Sequence, residues 1–300
     1  MELIKQRFKA FITASKVHLF EELENTTPVS GDFYFEVTSK TAGEDYAYLL
    51  NSGRLRKFLG ERVARKLRTA SFYVPNEEWE DTIEVARKDV ADDATGKYEA
   101  AVRSVGANVK LLGDDQLFEV LLPQGETALA LDGQNFFDTD HSYEKNGVAK
   151  TQSNLKTGRA LNAANFAASL TDLKNLRDNA GRFVNRSANA KIKLIVPSQL
   201  ENAANEIVAN AQLANGATNP NYQKAEVVVA DFDDATSWYL VNTGGSGAQK
   251  PFVKQTREFE PLTDTLDGDK DFHNRIYYVG TYWRGAFGYA LYQYALKSKA

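Results

Sequence analysis

The sequence contains no cysteine and a single methionine. Without cysteine, disulfide bonds, thiolate catalysis and cysteine-bound zinc are excluded. No apolar run approaches the roughly 18–20 residues that a membrane span needs, and the opening stretch, MELIKQRFKAF, is charged from its second position and lacks a signal-peptide core. Walker, GxGxxG and GxSxG motifs are also missing. We therefore expect a cytoplasmic location, no membrane contact and no cofactor.

What is present is the composition of a folded protein of 300 residues, of which 43% are hydrophobic and 25% charged. This length accommodates one large domain or two of medium size. The 36 basic and 40 acidic residues give a net charge of −4, which argues against a dedicated nucleic-acid binder. A mild negative charge does suit a surface that lies near DNA without adhering to it.

The most regular stretch runs from Gly96 to Leu122. From Tyr98 to Leu112 its apolar residues recur at steps of four and three, which is typical of one face of a helix: Tyr98, Val102, Val105, Val109 and Leu112. Leu117, Val120 and Leu121 continue that face. Pro123 marks the end. An unbroken helix of about 26 residues would be roughly 40 Å long, although Gly106 and Gly113 each cost about 1 kcal/mol relative to alanine. Two interpretations stay open: one long helix, or a core helix broken near Gly113.

Shorter patterns precede this stretch. An amphipathic helix is predicted over residues 2–24 and a strand over residues 33–38. Strands over residues 71–74 and 82–85, joined through PNEEWED, predict a long hairpin. The tip of this hairpin is acidic and consists of Glu77, Glu78, Glu80 and Asp81. Because the hairpin has little apolar material to bury in its own domain, we expect it to lie on a partner.

Helices and strands alternate in the second half. Helical patterns over residues 153–180 and 198–213 enclose a strand over residues 191–196, and strands over residues 226–230 and 237–241 follow. This order indicates an α/β subdomain from about residue 155 to 245. The last thirty positions are rich in aromatic residues, which favours strands that close a sheet. A stacking platform for single-stranded nucleic acid is the alternative.

One loop, DGQNFFDTDH, carries the residues most suited to chemistry: Asp132, Gly133, Gln134, Asn135, Phe136, Phe137, Asp138, Thr139, Asp140 and His141. In one interpretation its aspartates and histidine bind a divalent metal in a hydrolase. In the other, aspartate and asparagine cap turns while the two phenylalanines fix the loop on apolar surface. No second histidine or acidic cluster clearly completes a ligand set, so the sequence favours the structural interpretation.

Three stretches, in the same order and at similar spacing, resemble the Mu-like phage major head subunit family. They are GRLRKFLGERV at residues 53–63, VARKDVADDATGKY at residues 85–98, and the loop DGQNFFDTDH at residues 132–141. The resemblance covers residues 50–145 well and the C-terminal quarter loosely. Residues 150–250 match only by pattern.

The resemblance implies an α+β fold, that of the tailed-phage and herpesvirus capsid proteins. The plan it implies is an N-terminal arm (1–45), the start of a peripheral domain (46–64), an extended β-hairpin loop (65–92), the rest of the peripheral domain (93–154) with a spine helix (96–122), an axial domain (155–245) and a C-terminal return to the peripheral domain (246–300). No cleavable scaffolding region precedes the arm, so scaffold and protease are expected to be separate proteins.

The same resemblance implies a structural protein, not an enzyme, that assembles with itself into hexamers and pentamers of an icosahedral head around double-stranded DNA. A tail-tube subunit is the alternative structural role. Expected partners are a portal protein, a decoration protein and packaged DNA through non-specific proximity, in a virion capsid assembled in the bacterial cytoplasm. The acidic hairpin tip is expected to meet basic side chains of a neighbouring subunit, with these candidates: Arg54, Arg56, Lys57, Arg62, Arg65 and Lys66.

Overall fold

The computed structural model describes residues 2–50, 72–92, 95–145, 148–213, 215–230, 232, 234–245, 247–263 and 275–300. The α-helices in this part of the chain are α1 (Glu2–Asn25), α2 (Arg87–Ala91), α3 (Glu99–Asp115), α4 (Leu122–Gln124), α5 (Ala163–Asn175) and α6 (Glu201–Val208). None of the helices within these ranges is both long and apolar enough to cross a bilayer.

The strands form two larger sheets and two hairpin-sized ones. They are β1 (Tyr34–Thr38), β2 (Gly43–Asp45), β3 (Tyr73–Pro75), β4 (Glu77–Ala86), β5 (His141–Lys145), β6 (Val148–Gln152), β7 (Leu155–Lys156), β8 (Ile192–Val196), β9 (Glu226–Val229), β10 (Ser237–Asn242), β11 (Phe252–Thr263), β12 (Ile276–Tyr289) and β13 (Ala295–Lys299). The four-stranded sheet has the order β1-β11-β12-β4, and the five-stranded sheet has the order β7-β13-β10-β8-β9. β2 pairs with β3, and β5 pairs with β6.

The spine is helical from Thr95 to Gln124. A 3-10 turn leads into α3, and a π-helical turn (Gln116–Leu121) joins α3 to α4. The interpretation with a break near Gly113 is therefore wrong. Both costly glycines lie where other elements approach closely: a Cβ on Gly106 would lie 2.7 Å from the carbonyl oxygen of Leu19 in α1, and the Tyr34 hydroxyl donates to the Gly113 carbonyl at 2.8 Å. Packing against α1 and β1 thus compensates for the low helix propensity of glycine.

The hydrophobic core has a central cluster between the two larger sheets. The π-helical turn contributes Leu117 and Leu121 to it, the four-stranded sheet contributes Phe252 and the five-stranded sheet contributes Tyr239. A second cluster packs α5 and α6 on the five-stranded sheet. A third packs α1 and α3 on the four-stranded sheet. The spine therefore lies against both sheets, and the central cluster fixes their relative position.

Several local predictions agree with these elements. The helix over residues 2–24 and the strands over residues 33–38, 191–196, 226–230 and 237–241 are confirmed within a residue or two at each end. The helices of the second half are shorter than their patterns, because residues 155–156 form a strand and α6 ends at Val208. Five of the C-terminal aromatic residues are buried, which contradicts a stacking platform: Tyr277, Trp283 and Tyr289 in β12, and Tyr292 and Tyr294 in a 3-10 turn.

The predicted hairpin with an acidic tip is wrong. β4 is one continuous strand of ten residues, and it pairs antiparallel with β12 instead of folding back on residues 71–74. Its inward residues Ile83 and Val85 join the cluster beneath α1 and α3. The expectation of little apolar material failed because the pairing partner lies some 200 residues away in the sequence, where no local pattern indicates it.

Candidate functional site

The DGQNFFDTDH loop is held against the central core. The peptide N–H of Phe137 donates to the Gly125 carbonyl at 2.7 Å, and Ala130 donates to Gln134 at 2.7 Å across a tight turn. Gly133 occupies that turn at φ +84°, a conformation that favours glycine. Phe136 and Phe137 are fully buried and contact aromatic rings of both larger sheets. The structural interpretation of this loop agrees with its geometry.

His141 is completely buried, and both of its ring nitrogens have partners. Nδ1 lies 2.7 Å from the Asp132 carboxylate and Nε2 lies 3.1 Å from Oδ1 of Asn154. The ring stacks on Tyr292 at a centroid distance of 3.5 Å and an interplanar angle of 9°. Nδ2 of Asn154 donates to the carbonyls of Phe136 and Ala295, with that of Tyr292 at 3.4 Å. Its Oδ1 is therefore an acceptor, and it faces Nε2 of His141 and the N–H of Asp138.

The metal-hydrolase alternative does not fit this arrangement. A ligating histidine needs a free ring nitrogen, and His141 offers none because Asp132 and Asn154 occupy both. Asp140 is exposed, and the Asp138 carboxylate accepts the Thr139 N–H at 2.6 Å. Burial would raise the pKa of Asp138, but these hydrogen bonds outweigh it and hold the pKa below its ordinary value. Across the described ranges, no three histidine, aspartate or glutamate side chains converge as metal ligands.

Close packing at Gly125 gives a test of the loop. A Cβ added at Gly125 would lie 2.5 Å from the ring of Phe137, which is buried between Phe136 and Tyr239 and has no room to move. We expect Gly125→Ala to lower the free energy of unfolding by about 1–3 kcal/mol, as measured by urea denaturation. Gly96→Ala is the matched control, since nothing lies within 4 Å of its added Cβ. Equal effects of the two changes would contradict this account of the loop.

The acidic residues predicted for the hairpin tip lie along β4, an outer strand of the four-stranded sheet. Because side chains alternate along a strand, Glu78 and Glu80 face away from the helices, whereas Asp81 faces α3 and accepts a hydrogen bond from Asn108 at 2.7 Å. Glu77 is exposed at the start of the strand. The predicted set of four is therefore divided between two faces.

The outward side of β4 forms part of a larger acidic surface. Glu78 lies opposite Arg284, which lies opposite Glu258, and Glu80, Tyr282 and Glu260 form the next row across the sheet. Arg284 is 3.9 Å from both Glu78 and Glu258. We call this surface the acidic sheet face and define it by five carboxylates: Glu78, Glu80, Glu84, Glu258 and Glu260. Arg284 is the basic side chain that the described cross-strand rows place among them.

The basic candidates of the sequence analysis, Arg54, Arg56, Lys57, Arg62, Arg65 and Lys66, lie outside the described residues. Sequence reasoning also missed partners that the fold supplies. Asn154 and Tyr292 complete the surroundings of His141, and Glu258 and Glu260 complete the acidic sheet face. The alternating acidic residues of β11 were a usable signal for the last pair. Nothing local indicates Asn154, whose role depends on long-range contacts.

Comparison with known proteins gives a consistent result. A family model described as Mu-like prophage major head subunit gpT matches residues 8–160, 156–233 and 231–300. The major capsid protein of Escherichia phage Mu is 27% identical over 158 residues, which cover 53% of this chain and 49% of that protein. The Mu-like prophage FluMu major head subunit of Haemophilus influenzae is 32% identical over 105 residues, which cover 35% of this chain and 34% of that protein. The chain spans about half the length of the first relative and about a third of the second.

The fold also has a solved counterpart. The procapsid of bacteriophage JBD30 contains a chain with a TM-score of 0.63 and 22% sequence identity, and the match covers 98% of this chain and 75% of that one. At this identity the likeness concerns the fold alone. The α+β fold of tailed-phage capsid proteins is thereby confirmed.

Proposed function

Because this chain belongs to the Mu-like prophage major head subunit gpT family, we propose that it is a major capsid protein. Copies of it assemble into the icosahedral shell of a phage head around double-stranded DNA, as hexamers and pentamers. Its role is structural and not enzymatic. It assembles in the cytoplasm of the bacterial host and remains in the virion.

The observation that carries the proposal is the match of the family model along the chain from residue 8 to residue 300. The geometry of the DGQNFFDTDH loop supports it, because the loop that offered a metal site is filled by its own buried hydrogen bonds. A closed network of this kind holds the loop in one conformation against β13 of the five-stranded sheet. A subunit with one fixed conformation can make the same contacts with each neighbouring copy, as a regular shell requires.

The proposed division of the chain follows the family plan, with one correction. An N-terminal arm (1–45), the spine, an axial domain (155–245) and a C-terminal return (246–300) keep their predicted bounds. Residues 77–92 belong with the peripheral domain, because β4 is a strand of the four-stranded sheet. The antiparallel pairing of β2 with β3 brings Asp45 beside Tyr73, and residues 65–71 of the proposed extended loop lie outside the described residues.

In the assembled shell, the acidic sheet face contacts basic side chains of a neighbouring copy. The segment that contains Arg54, Arg56, Lys57, Arg62, Arg65 and Lys66 is one candidate for this contact. Exposed ion pairs give only about 0–1 kcal/mol each. Their effect in a shell comes from repetition over many copies and from the apolar burial that accompanies them. Scaffold, protease, portal and decoration proteins are further proposed partners.

Electron microscopy of the purified protein tests the function. We expect closed spherical shells, alone or after co-expression with the neighbouring head-assembly genes. Tubes would instead indicate a tail-tube subunit, and particles of one or a few copies at high concentration would contradict assembly altogether.

Charge reversal on the acidic sheet face should separate assembly from folding. We expect Glu78→Lys with Glu80→Lys to abolish shells while the circular dichroism spectrum and thermal midpoint of the subunit stay unchanged, since both side chains are exposed. Glu201→Lys with Glu206→Lys on α6 is a control of equal charge. Normal shells from the Glu78 and Glu80 variant would exclude this face as a contact.

A further inference from the structure

A second charged surface, of opposite sign, lies on the segment that follows α5. The guanidinium group of Arg177 lies 3.6 Å from the ring centroid of Phe183 on one side, and that of Arg186 lies 3.5 Å from it on the other. Phe183 is 37% exposed although it is a large apolar residue. We call these three residues the arginine stack. Phe183 is therefore a surface ring that contacts two cations, and it is not part of the central hydrophobic cluster.

The arginine stack is held in place by hydrogen bonds on both sides. Arg177 donates to the Gly181 carbonyl at 2.7 Å, and its backbone exchanges two hydrogen bonds with the Gln152 side chain. Arg186 donates from Nε to the Lys174 carbonyl at 3.1 Å and from Nη2 to Asn175 at the end of α5. These bonds occupy some of the donors of each guanidinium and fix its plane. Arginine donors fixed in this way lose little entropy when they bind a carboxylate.

The surroundings of the arginine stack are basic. Lys145 packs beside Gly181, Lys174 ends α5, and Arg182 is exposed next to Phe183. The acidic side chains of this region are Glu144 and Asp178, and Asp178 already accepts hydrogen bonds from Arg182 and from the N–H of Ala180. The segments of this region therefore carry five basic side chains and two acidic ones, on a chain whose net charge is −4.

We propose that the arginine stack is a docking surface for the acidic sheet face of a second copy of this chain. The two surfaces are complementary in charge: the acidic sheet face carries five carboxylates beside Arg284, and the segments at the arginine stack carry five basic side chains. They lie on different parts of the same subunit, so their contact is heterologous and propagates from copy to copy until it closes. The proposal rests on the proposed shell function, because it names the basic partner of the acidic sheet face among the described residues.

Chemical crosslinking tests the contact directly, because the chain has no cysteine of its own. Protein with Glu80→Cys is mixed with protein carrying Arg182→Cys and treated with a short bismaleimide. We expect a crosslinked dimer that forms only in the mixture. Its yield should fall about tenfold when the salt concentration rises from about 0.05 M to about 0.5 M. Glu201→Cys mixed with Lys224→Cys is the control. A mixture that yields no more dimer than this control overturns the proposal.

Charge exchange distinguishes the arginine stack from the segment around Arg54. If the arginine stack is the partner, Arg182→Glu with Arg186→Glu blocks shells and restores them when combined with Glu78→Lys and Glu80→Lys. If shells return instead when Glu78→Lys and Glu80→Lys are combined with Arg54→Glu and Arg56→Glu, the contact belongs to the segment around Arg54 and the proposal is overturned. Phe183→Leu keeps an apolar side chain but loses the ring between the cations, and we expect it to slow assembly severalfold with an unchanged thermal midpoint.

The failure of this contact and the failure of the shell function give different results. Shells from the wild-type chain without the specific crosslink overturn the contact alone. If the crosslink forms in small oligomers and no shells appear, the contact is supported and the proposed shell function is contradicted. A third result would identify a nucleic-acid surface: the wild-type chain binds duplex DNA, Arg182→Glu with Arg186→Glu does not, and no crosslink forms. That result overturns docking of a second copy.

Discussion

Replacing Asn154 by alanine is expected to lower the free energy of unfolding by about 3–4 kcal/mol. Its amide group is fully buried, donates to Phe136 and Ala295, and accepts from the N–H of Asp138 and from His141. Alanine leaves these groups in the interior without a partner and without access to water. Each orphaned buried group costs about 1–3 kcal/mol, which is why the sum exceeds the effect of a typical substitution.

Urea denaturation of the unassembled subunit measures this effect. Asn189→Ala is a matched control, because Asn189 is exposed and no hydrogen bond of its side chain is described. Asn154→Asp is a second variant of nearly the same volume. It keeps an acceptor toward His141 but turns an oxygen toward the carbonyls of Phe136 and Ala295, so we expect it to be at least as destabilising as alanine. If Asn154→Ala loses no more stability than Asn189→Ala, the buried network does not hold the loop in place.

The sequence was sufficient where a local pattern determines the structure. The steps of three and four between Tyr98 and Leu112 predicted the spine, alternation of apolar residues predicted β1, and short local strand patterns predicted β8 and β10. The family resemblance, confirmed by the family model that matches the chain, supplied the fold class. Whether the spine would continue through Gly113 could not be decided locally, because the compensating contact comes from Tyr34.

The failures concern pairings between distant residues. PNEEWED has the turn-forming residues of a hairpin tip. Glu77 to Ala86 nevertheless forms a strand, because it pairs with β12 along ten residues and buries Val85. The loop around His141 shows the same limit. Its composition suited either a metal or a set of turns, and the choice depends on Asn154 and Tyr292, which no spacing rule connects to it. Charge complementarity between surfaces requires the fold before it can be proposed.

The second large effect is expected at a buried ion pair near the C-terminus. Lys297 in β13 has a side chain that is 5% exposed, and its ammonium group lies 2.7 Å from Glu126 and 5.4 Å from the ring centroid of Tyr239. Lys299 donates to the other oxygen of Glu126 at 2.6 Å. We expect Glu126→Gln to lower the free energy of unfolding by about 2–4 kcal/mol, because it removes the carboxylate that contacts the buried ammonium of Lys297. Urea denaturation at pH 7 measures this loss.

A double-mutant cycle isolates the pair. Lys297→Met removes the buried charge and keeps most of the side-chain volume, while Glu126 retains Lys299 and partial exposure, so we expect a smaller loss than for Glu126→Gln. In the Glu126→Gln background, Lys297→Met should lower the free energy of unfolding by at least about 1 kcal/mol less than it does in the wild type, which is the coupling expected for residues in contact. Strictly additive losses would show that the two groups do not interact.

The pH dependence of Glu126→Gln follows from the pKa of the replaced carboxyl. Burial would raise this pKa, but the ammonium groups of Lys297 and Lys299 outweigh burial and hold it below the ordinary value of 4.5. A carboxyl with a lowered folded-state pKa contributes stability that is complete above 4.5 and is lost as the pH falls through the lowered value. The difference between wild type and Glu126→Gln should therefore be constant from pH 7 to about pH 5 and shrink in more acidic solution. A difference that grows as the pH falls would contradict the ion pair as the cause.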